Sequence, residues 1–266
     1  MFRKILVGTD GSDTATMAVA HALKLAEAIG AEVTAISVYA TPQVDAPEIL
    51  SARQGDPTAD IARAILRDVQ NRFSNSPSLT VRPVEGNPAE ALLDLADEEG
   101  FDLIVVGNRG MAGASRLMLG NVPNKVSHHA PSSVLIVDTA DGQEPGYRKM
   151  LAGTDGSATA ARAVATAVEL AEKTGAGLTI VTGAPNEQAG EQVLQPVRHE
   201  YPKVETVTLV GSPADAIVER AQKEGIDLII VGNKGMTGAR RFLLGSVPNK
   251  ISHNAQTSVL IVNTTG

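Results

Sequence analysis

One short block of this sequence occurs twice. "KILVGTDGSDTA" at Lys4–Ala15 returns as "KMLAGTDGSATA" at Lys149–Ala160, an offset of 145 residues. "VEGNPAEALLDLADEEGFDLIVVGNRG" at Val84–Gly110 returns as "LVGSPADAIVERAQKEGIDLIIVGNKG" at Leu209–Gly235, an offset of 125. The offsets differ by 20, so the second copy lacks about that many residues in its middle. Copies of this length are too large to be units of a solenoid, and each should be a domain. At about 150 residues per domain, 266 residues hold two. We place the first domain at 1–140 and the second, with a shortened middle helix, at 147–266. The polar Gly/Pro stretch "DTADGQEPGYR", Asp138–Arg148, joins them.

Within a copy, strand and helix patterns alternate. Ile5–Gly8 reads as a buried strand. Ser12–Ile29 reads as a helix with Ala18, Ala22, Leu25 and Ala26 on one face, ended by Gly30. Val33–Val38 is a strand, and Thr58–Phe73 a helix with Ile61, Ile65 and Val69 inward. Leu79–Val84 is a strand. Pro88–Glu98 is a helix with Asn87 as N-cap and Pro88 at its first position. Leu103–Val106, a short helix near Val122–His128 and the strand Ser133–Val137 complete the copy. The second copy repeats this, with a shorter helix between Asn186 and Tyr201. Parallel neighbours need crossover helices, so each copy predicts an α/β domain with an open, parallel, five-stranded sheet.

Composition agrees. Apolar residues make up 43% of the chain and aromatic ones 3%, so the cores must be Val, Ile, Leu and Ala, as in parallel sheets covered on both faces. A net charge of −7 argues against sequence-independent nucleic-acid binding. With no cysteine, disulfides, thiolate chemistry and Cys-based zinc sites are excluded. No apolar run approaches the roughly 20 residues that cross a bilayer. The apolar part of "MFRKILVGTD" is too short for a signal peptide. A cytoplasmic protein without membrane partners is the expectation.

In open parallel sheets, ligands bind beyond the carboxyl ends of the strands, where the strand order reverses. Three segments of each copy emerge there: "GTDGS" after strand one, the turn after strand two (Val38–Ala40 or Gly183–Pro185), and a glycine loop after strand four. That loop reads Gly107-x-x-Gly110, nine residues, Gly120-Asn121. Its copy reads Gly232-x-x-Gly235, nine residues, Gly245-Ser246. Glycine lets a backbone N–H approach a phosphate oxygen closely, and successive N–H groups form an anion nest. Asn121 or Ser246 would then cap a helix whose first-turn N–H groups point at the anion, with Pro123 or Pro248 in that turn. One helix end contributes only about 0.3–1 kcal/mol per charge. A micromolar ligand needs about 8 kcal/mol. The nucleoside must therefore be gripped elsewhere. Asp10 and Asp155, at the end of strand one, could accept from ribose hydroxyls or could cap the following helix. Arg109 and Lys234 could screen phosphate charge or be solvated loop cations. His128 and His253 recur without metal-ligand spacing and read as cap or core residues.

The loop Gly-x-x-Gly, nine residues, Gly-Asn/Ser, together with an opening strand ending in Asp-x-Ser, resembles the ATP-binding class of universal stress proteins, over nearly the whole chain. The resemblance implies two tandem Rossmann-like domains of strand order 3-2-1-4-5, with ATP, and with it Mg²⁺, between strands one and four. It implies nucleotide contacts at Thr9, Asp10, Val38, Gly107, Arg109, Gly110, Gly120, Asn121 and Val122. In the second copy they fall at Thr154, Asp155, Gly183, Gly232, Lys234, Gly235, Gly245, Ser246 and Val247. Asn121 stands where the family pattern has a hydroxyl residue, and Gly183 stands opposite Val38, so the two sites should be unequal. The last strands, "SSVLIV" and "TSVLIV", should pair across a two-fold axis as an intramolecular pseudo-dimer, covering edges that would otherwise aggregate. A homodimer of whole chains is left open.

The function this implies is an ATP-binding regulator of a stress response. The alternatives are a slow Mg-dependent ATPase and a nucleotide-free scaffold. No carboxylate or histidine is placed in the sequence to orient an attacking water, as phosphoryl transfer requires, so no catalytic residue is assigned.

Overall fold

A computed structural model describes residues 1–40, 57–108, 119–139, 146–234 and 244–264. The first half carries β1 (Lys4–Gly8), α1 (Asp13–Ile29), β2 (Glu32–Tyr39), α2 (Pro57–Arg72), β3 (Leu79–Glu85), α3 (Pro88–Glu98), β4 (Leu103–Gly107), α4 (Asn121–His129) and β5 (Ser133–Val137). The second half carries β6 (Lys149–Gly153), α5 (Ala158–Thr174), β7 (Gly177–Ala184), α6 (Glu187–Glu200), β8 (Glu205–Val210), α7 (Pro213–Glu224), β9 (Leu228–Gly232), α8 (Ser246–Asn254) and β10 (Ser258–Val262).

The helix ends follow local chemistry. The Ser12 hydroxyl accepts from the Ala15 N–H, and Gly30 closes α1 in the left-handed region at φ 74° while donating to Ala26 O. Asn87 accepts from the N–H groups of Ala89 and Glu90 at the start of α3. These caps satisfy groups a helix terminus cannot pair internally.

The strands form one sheet in the order β3-β2-β1-β4-β5-β10-β9-β6-β7-β8. Each half is parallel with the expected 3-2-1-4-5 order. The halves meet where β5 and β10 pair antiparallel, Leu135 opposite Leu260. All five residues of each of these strands are buried, so neither presents an open apolar edge. Strand residues alternate between two cores. Val7, Leu103, Val105, Leu135 and Ile230 face α1 and α5. Leu6, Ile104, Val106, Ile136 and Ile229 pack with residues of α3, α4, α7 and α8 on the other face.

One expectation needs correction here. Ile61 does not point inward: it is 61% exposed, Ile65 is half-buried and Val69 is buried. The inner face of α2 runs Ala59, Ala62, Leu66, Val69, a 3-4-3 spacing that follows the helical repeat, whereas 61-65-69 drifts off it. The middle helix of the second copy is the shorter, 14 residues in α6 against 16 in α2, and most of the lost length precedes it. Residues 40–56 separate β2 from α2, but only Pro185 and Asn186 separate β7 from α6.

The short connection draws α6 onto its sheet. A Cβ on Gly190 of α6 would lie 2.2 Å from Thr208 Cγ2, 2.3 Å from its Oγ1 and 2.8 Å from its Cβ. Because the Thr208 Cβ is itself too close, no rotamer of Thr208 clears a methyl group. Gly190→Ala gains about 1 kcal/mol of helix propensity but must displace backbone, as overpacking does at a cost of about 1–3 kcal/mol. We expect the contact to win and the urea midpoint to fall. Thr208→Ala, which removes only the γ atoms, should recover part of the loss in the double variant.

Candidate functional site

Each half forms the same loop at the end of its first strand. Thr9 and Thr154 are buried, and their hydroxyls accept from the N–H groups of Gly11 (3.3 Å) and Gly156 (3.2 Å). Gly11 and Gly156 sit at φ 81° and 77°, where an L side chain is strained, so the turn requires glycine. One carboxylate oxygen of Asp10 takes both the N–H (3.0 Å) and the hydroxyl (2.5 Å) of Ser12, which in turn caps α1. Asp155 does the same with Ser157 at 3.0 and 2.5 Å. Asp10 and Asp155 therefore hold the helix-capping serine, through an oxygen that faces their own loop.

The glycine loop is pinched at its base. Gly120 donates to the Asn108 carbonyl at 3.0 Å, and Gly245 donates to the Asn233 carbonyl at 2.9 Å. The Asn108 side chain donates to Asp138 at 2.7 Å and accepts from the Thr139 hydroxyl at 2.8 Å. Asn233 makes the matching contacts to Asn263 (3.3 Å) and Thr264 (2.7 Å). These bonds hold Asn108 against Gly120 and Asn233 against Gly245. Asn108 and Asn233 were not among the expected site residues. Their recurrence one position after Gly107 and Gly232 was the available signal.

The helices that follow are capped differently from the expectation. The N-caps are Gly120 and Gly245, extended at φ −63° and −62°, and neither helix has a side-chain cap hydrogen bond. Asn121 and Ser246 are the first helical residues and are exposed. The N-cap is the residue whose carbonyl starts the helical ladder. Asn124 and Asn249 donate to Gly120 O and Gly245 O, which moves the cap one position back. The consequence favours anion binding, because a glycine cap leaves the first-turn N–H groups of α4 and α8 without a side-chain acceptor.

In the second half these parts enclose a cavity of about 110 Å³, lined by Thr154, Asp155, Gly183, Gly232, Lys234 and Val247 among others. Pro213, Ile217 and Val231, which were not foreseen, form its apolar wall. Lys234 is only 8% exposed. It takes part in none of the ion pairs among the described residues. Arg109, Gly110 and Gly235 lie outside the described residues. In the first half Thr9, Asp10, Gly107, Gly120, Asn121 and Val122 take the matching places along β1, β4 and α4, which β1–β4 pairing brings together.

The halves differ beside β2 and β7. Val38 is half-buried and packs on the core under α3. At Gly183 a Cβ would come within 2.5 Å of the Pro213 Cα, so the N-terminus of α7 occupies the room that a side chain takes in the first half. His128 and His253 stand at the far ends of α4 and α8. His128 Nε2 lies 3.0 Å from Asn249 Oδ1 of the other half, and His253 Nδ1 lies 2.8 Å from the Asn249 carbonyl. Among the described residues no group of three or more His, Asp or Glu side chains is placed to hold a metal. No helix among them is long and apolar enough to cross a membrane.

Comparison with known proteins agrees with this architecture. A universal stress protein of Mycobacterium tuberculosis is 40% identical over 144 residues, which is 52% of this chain and 97% of that protein. One of Mycolicibacterium smegmatis is 27% identical over 287 residues, covering 97% of this chain and 96% of its own. The crystal structure of a universal stress protein from Archaeoglobus fulgidus superimposes with a TM-score of 0.73 over 98% of this chain and 96% of that one; at 20% identity it speaks for the fold alone. The profile of the universal stress protein family matches residues 1–138, 146–194 and 184–263. Repeat, strand order and profile coincide over both halves, and the chain belongs to the universal stress protein family.

Proposed function

We propose that the chain is a nucleotide-dependent regulator in a stress response that binds ATP at the glycine loop of each half, with the second-half site the more constrained. The observation that carries this is Lys234. A lysine 92% removed from solvent and without an ion pair among the described residues is costly unless an anion joins it. It lines the same cavity as Thr154 and Val247, beside the uncapped start of α8. A cation and a helix terminus converging on one small cleft suit a phosphate chain. The apolar wall of Pro213, Ile217 and Val231 suits the face of a base.

Mg²⁺ fits as a companion of the triphosphate. It is commonly held by one or two carboxylates plus phosphate oxygens rather than by a protein cage. Asp10 and Asp155 are the carboxylates of the two loops that would serve it. Bound Mg²⁺ would offset phosphate charge, and the protein's own groups would fix the nucleotide's position. We assign no described residue of either loop to orient a water molecule for attack, and the reading is a binder.

The test is direct. Denatured protein, purified without added nucleotide, should release adenine nucleotide. ATP at a thousand times its dissociation constant should raise stability by about 4 kcal/mol. Absence of both results would leave the nucleotide-free scaffold. Phosphate release on the order of 1 per second or faster would make the protein an enzyme instead.

A further inference from the structure

The two ends of the sheet are equivalent strands of the repeat, and they are finished differently. β3 stands at one end and β8 at the other. Among the described residues β3 pairs with β2 alone and β8 with β7 alone. At the offset of 125, Val81-Arg82-Pro83-Val84-Glu85 of β3 is matched by Thr206-Val207-Thr208-Leu209-Val210 of β8. An arginine, a proline and a glutamate thus give way to valine, threonine and valine.

Which main-chain groups these strands leave open follows from one hydrogen bond at the end of each. The Gly86 N–H donates to Tyr39 O at 2.9 Å, and the Gly211 N–H donates to Ala184 O at 3.1 Å. Successive residues of a strand direct their N–H and C=O groups to alternate sides, and both registers run without a bulge. Val81, Pro83 and Glu85 therefore face away from β2, and Thr206, Thr208 and Val210 face away from β7. Pro83 has no N–H to offer at the middle of its open edge, which blunts that edge. Thr208 restores the donor at the middle of the other. Three successive outward positions of β8 carry both donor and acceptor, and the last of them, Val210, is 57% exposed.

We propose that β8 is an association edge for a second copy of this chain, the two β8 strands pairing antiparallel about a two-fold axis at Thr208. In this register Thr208 lies opposite Thr208 of the second copy, and Thr206 opposite its Val210. Every outward N–H then meets an outward C=O, in about six main-chain hydrogen bonds. The side chains agree on both faces. Thr208 lies against Gly190 of α6, so Thr–Thr and Thr–Val pairs form on that face. Val207 and Leu209 pack on the other core, beside residues of α7. Val207 of each copy lies opposite Leu209 of the other, which carries that apolar layer across the axis. Glu205 is the charged residue of β8. It lies opposite Gly211 of the second copy and keeps its own partner Arg220 at 3.9 Å, so no like charges meet. Sliding the second copy by two residues one way sets Glu205 against Leu209, and the other way carries Thr206 past the end of the strand. An antiparallel pair about a local two-fold already joins β5 to β10 within the chain. The same pairing of β3 would set Pro83 against Pro83 at the axis, so association closes at two copies.

Sedimentation equilibrium of the full chain without nucleotide measures the association. A dimer is expected, with a dissociation constant on the order of 10 μM. Thr208→Pro installs the residue of the other edge and removes no hydrogen bond to β7. It should keep the circular dichroism of the fold and weaken association at least about tenfold. Amide hydrogen exchange locates the contact without a variant. The N–H groups of Thr206, Thr208 and Val210 should exchange more slowly above the dissociation constant than below it, while those of Val81 and Glu85 exchange alike at both. Should Thr208→Pro fail to fold, the exchange result decides alone. A wild type still monomeric at about 1 mM, a dimer in which those three amides exchange as in the monomer, or a folded Thr208→Pro protein that associates as the wild type does would each overturn the proposal. Neither measurement involves ATP, so the outcome is separate from that of the nucleotide sites.

Discussion

Acidification from pH 7 to below pH 4 should cost the fold about 3 kcal/mol through His21 alone. Burial lowers the pKa of this imidazole from 6.5 to about 4, with Asp138 opposing in part. The sign follows from proton uptake. Between those values the unfolded chain binds a proton that the folded chain refuses, so stability is full above about pH 6.5 and falls by about 1.4 kcal/mol per pH unit until the folded pKa is passed. The Tyr147 hydroxyl, 3.0 Å from Nδ1, does not titrate in this window because burial pushes its pKa up. The lowered carboxylates Glu27, Glu191 and Asp215 start below pH 4.5 and are paired on the surface with Lys24, Arg198 and Lys250. They lose stability in the same direction but at lower pH. His21→Thr, the residue of the other half, should shift overall stability yet flatten its slope between pH 6.5 and 4.5. Urea denaturation of both proteins across that range checks this, and parallel slopes would show that His21 is not the titrating group.

This histidine also marks where sequence reading stops. The repeat made the sheet legible, because "SVLIV" at both Ser133 and Ser258 can only be a buried strand, and two such edges satisfy each other. Ser12 and Gly30 bounded α1 because their chemistry is local. The inward face of α2 was misread at Ile61 because two of the residues that carry it, Ala59 and Ala62, are small and weigh little in any pattern of bulky side chains. The cap of α4 was placed one residue late, on the side chain best able to cap, whereas the N-cap is Gly120 and no side chain caps the helix. The pairing of His21 with Tyr147 spans 126 residues and occurs once. A repeat calls attention to what recurs, and this contact lies where the two copies differ.

The glycine caps set stability against binding. Gly120→Asp combined with Gly245→Asp should stabilise the protein while removing nucleotide affinity. Both positions have the extended backbone that aspartate adopts as an N-cap, with φ,ψ of −63°,161° and −62°,156°. Room exists as well: the nearest atoms to an added Cβ are Pro123 Cγ at 3.4 Å and, in the second half, Asn233 O at 3.4 Å. An N-cap carboxylate accepts from first-turn N–H groups and suits the positive helix end, which should add a few tenths of a kcal/mol to about 1 kcal/mol per helix. Those N–H groups are the ones assigned to the phosphates. The introduced charge would occupy them and face the triphosphate, and opposed like charges cost several kcal/mol, so ATP affinity should fall by more than about 100-fold. Gly→Ala at the same two positions separates the effects, because a methyl group fills the space without capping or charge and should weaken ATP less. Thermal unfolding and calorimetric ATP titration of the three proteins decide the matter. If the aspartate variant gained stability and still bound ATP like the parent, the phosphates would have to lie elsewhere than against α4 and α8.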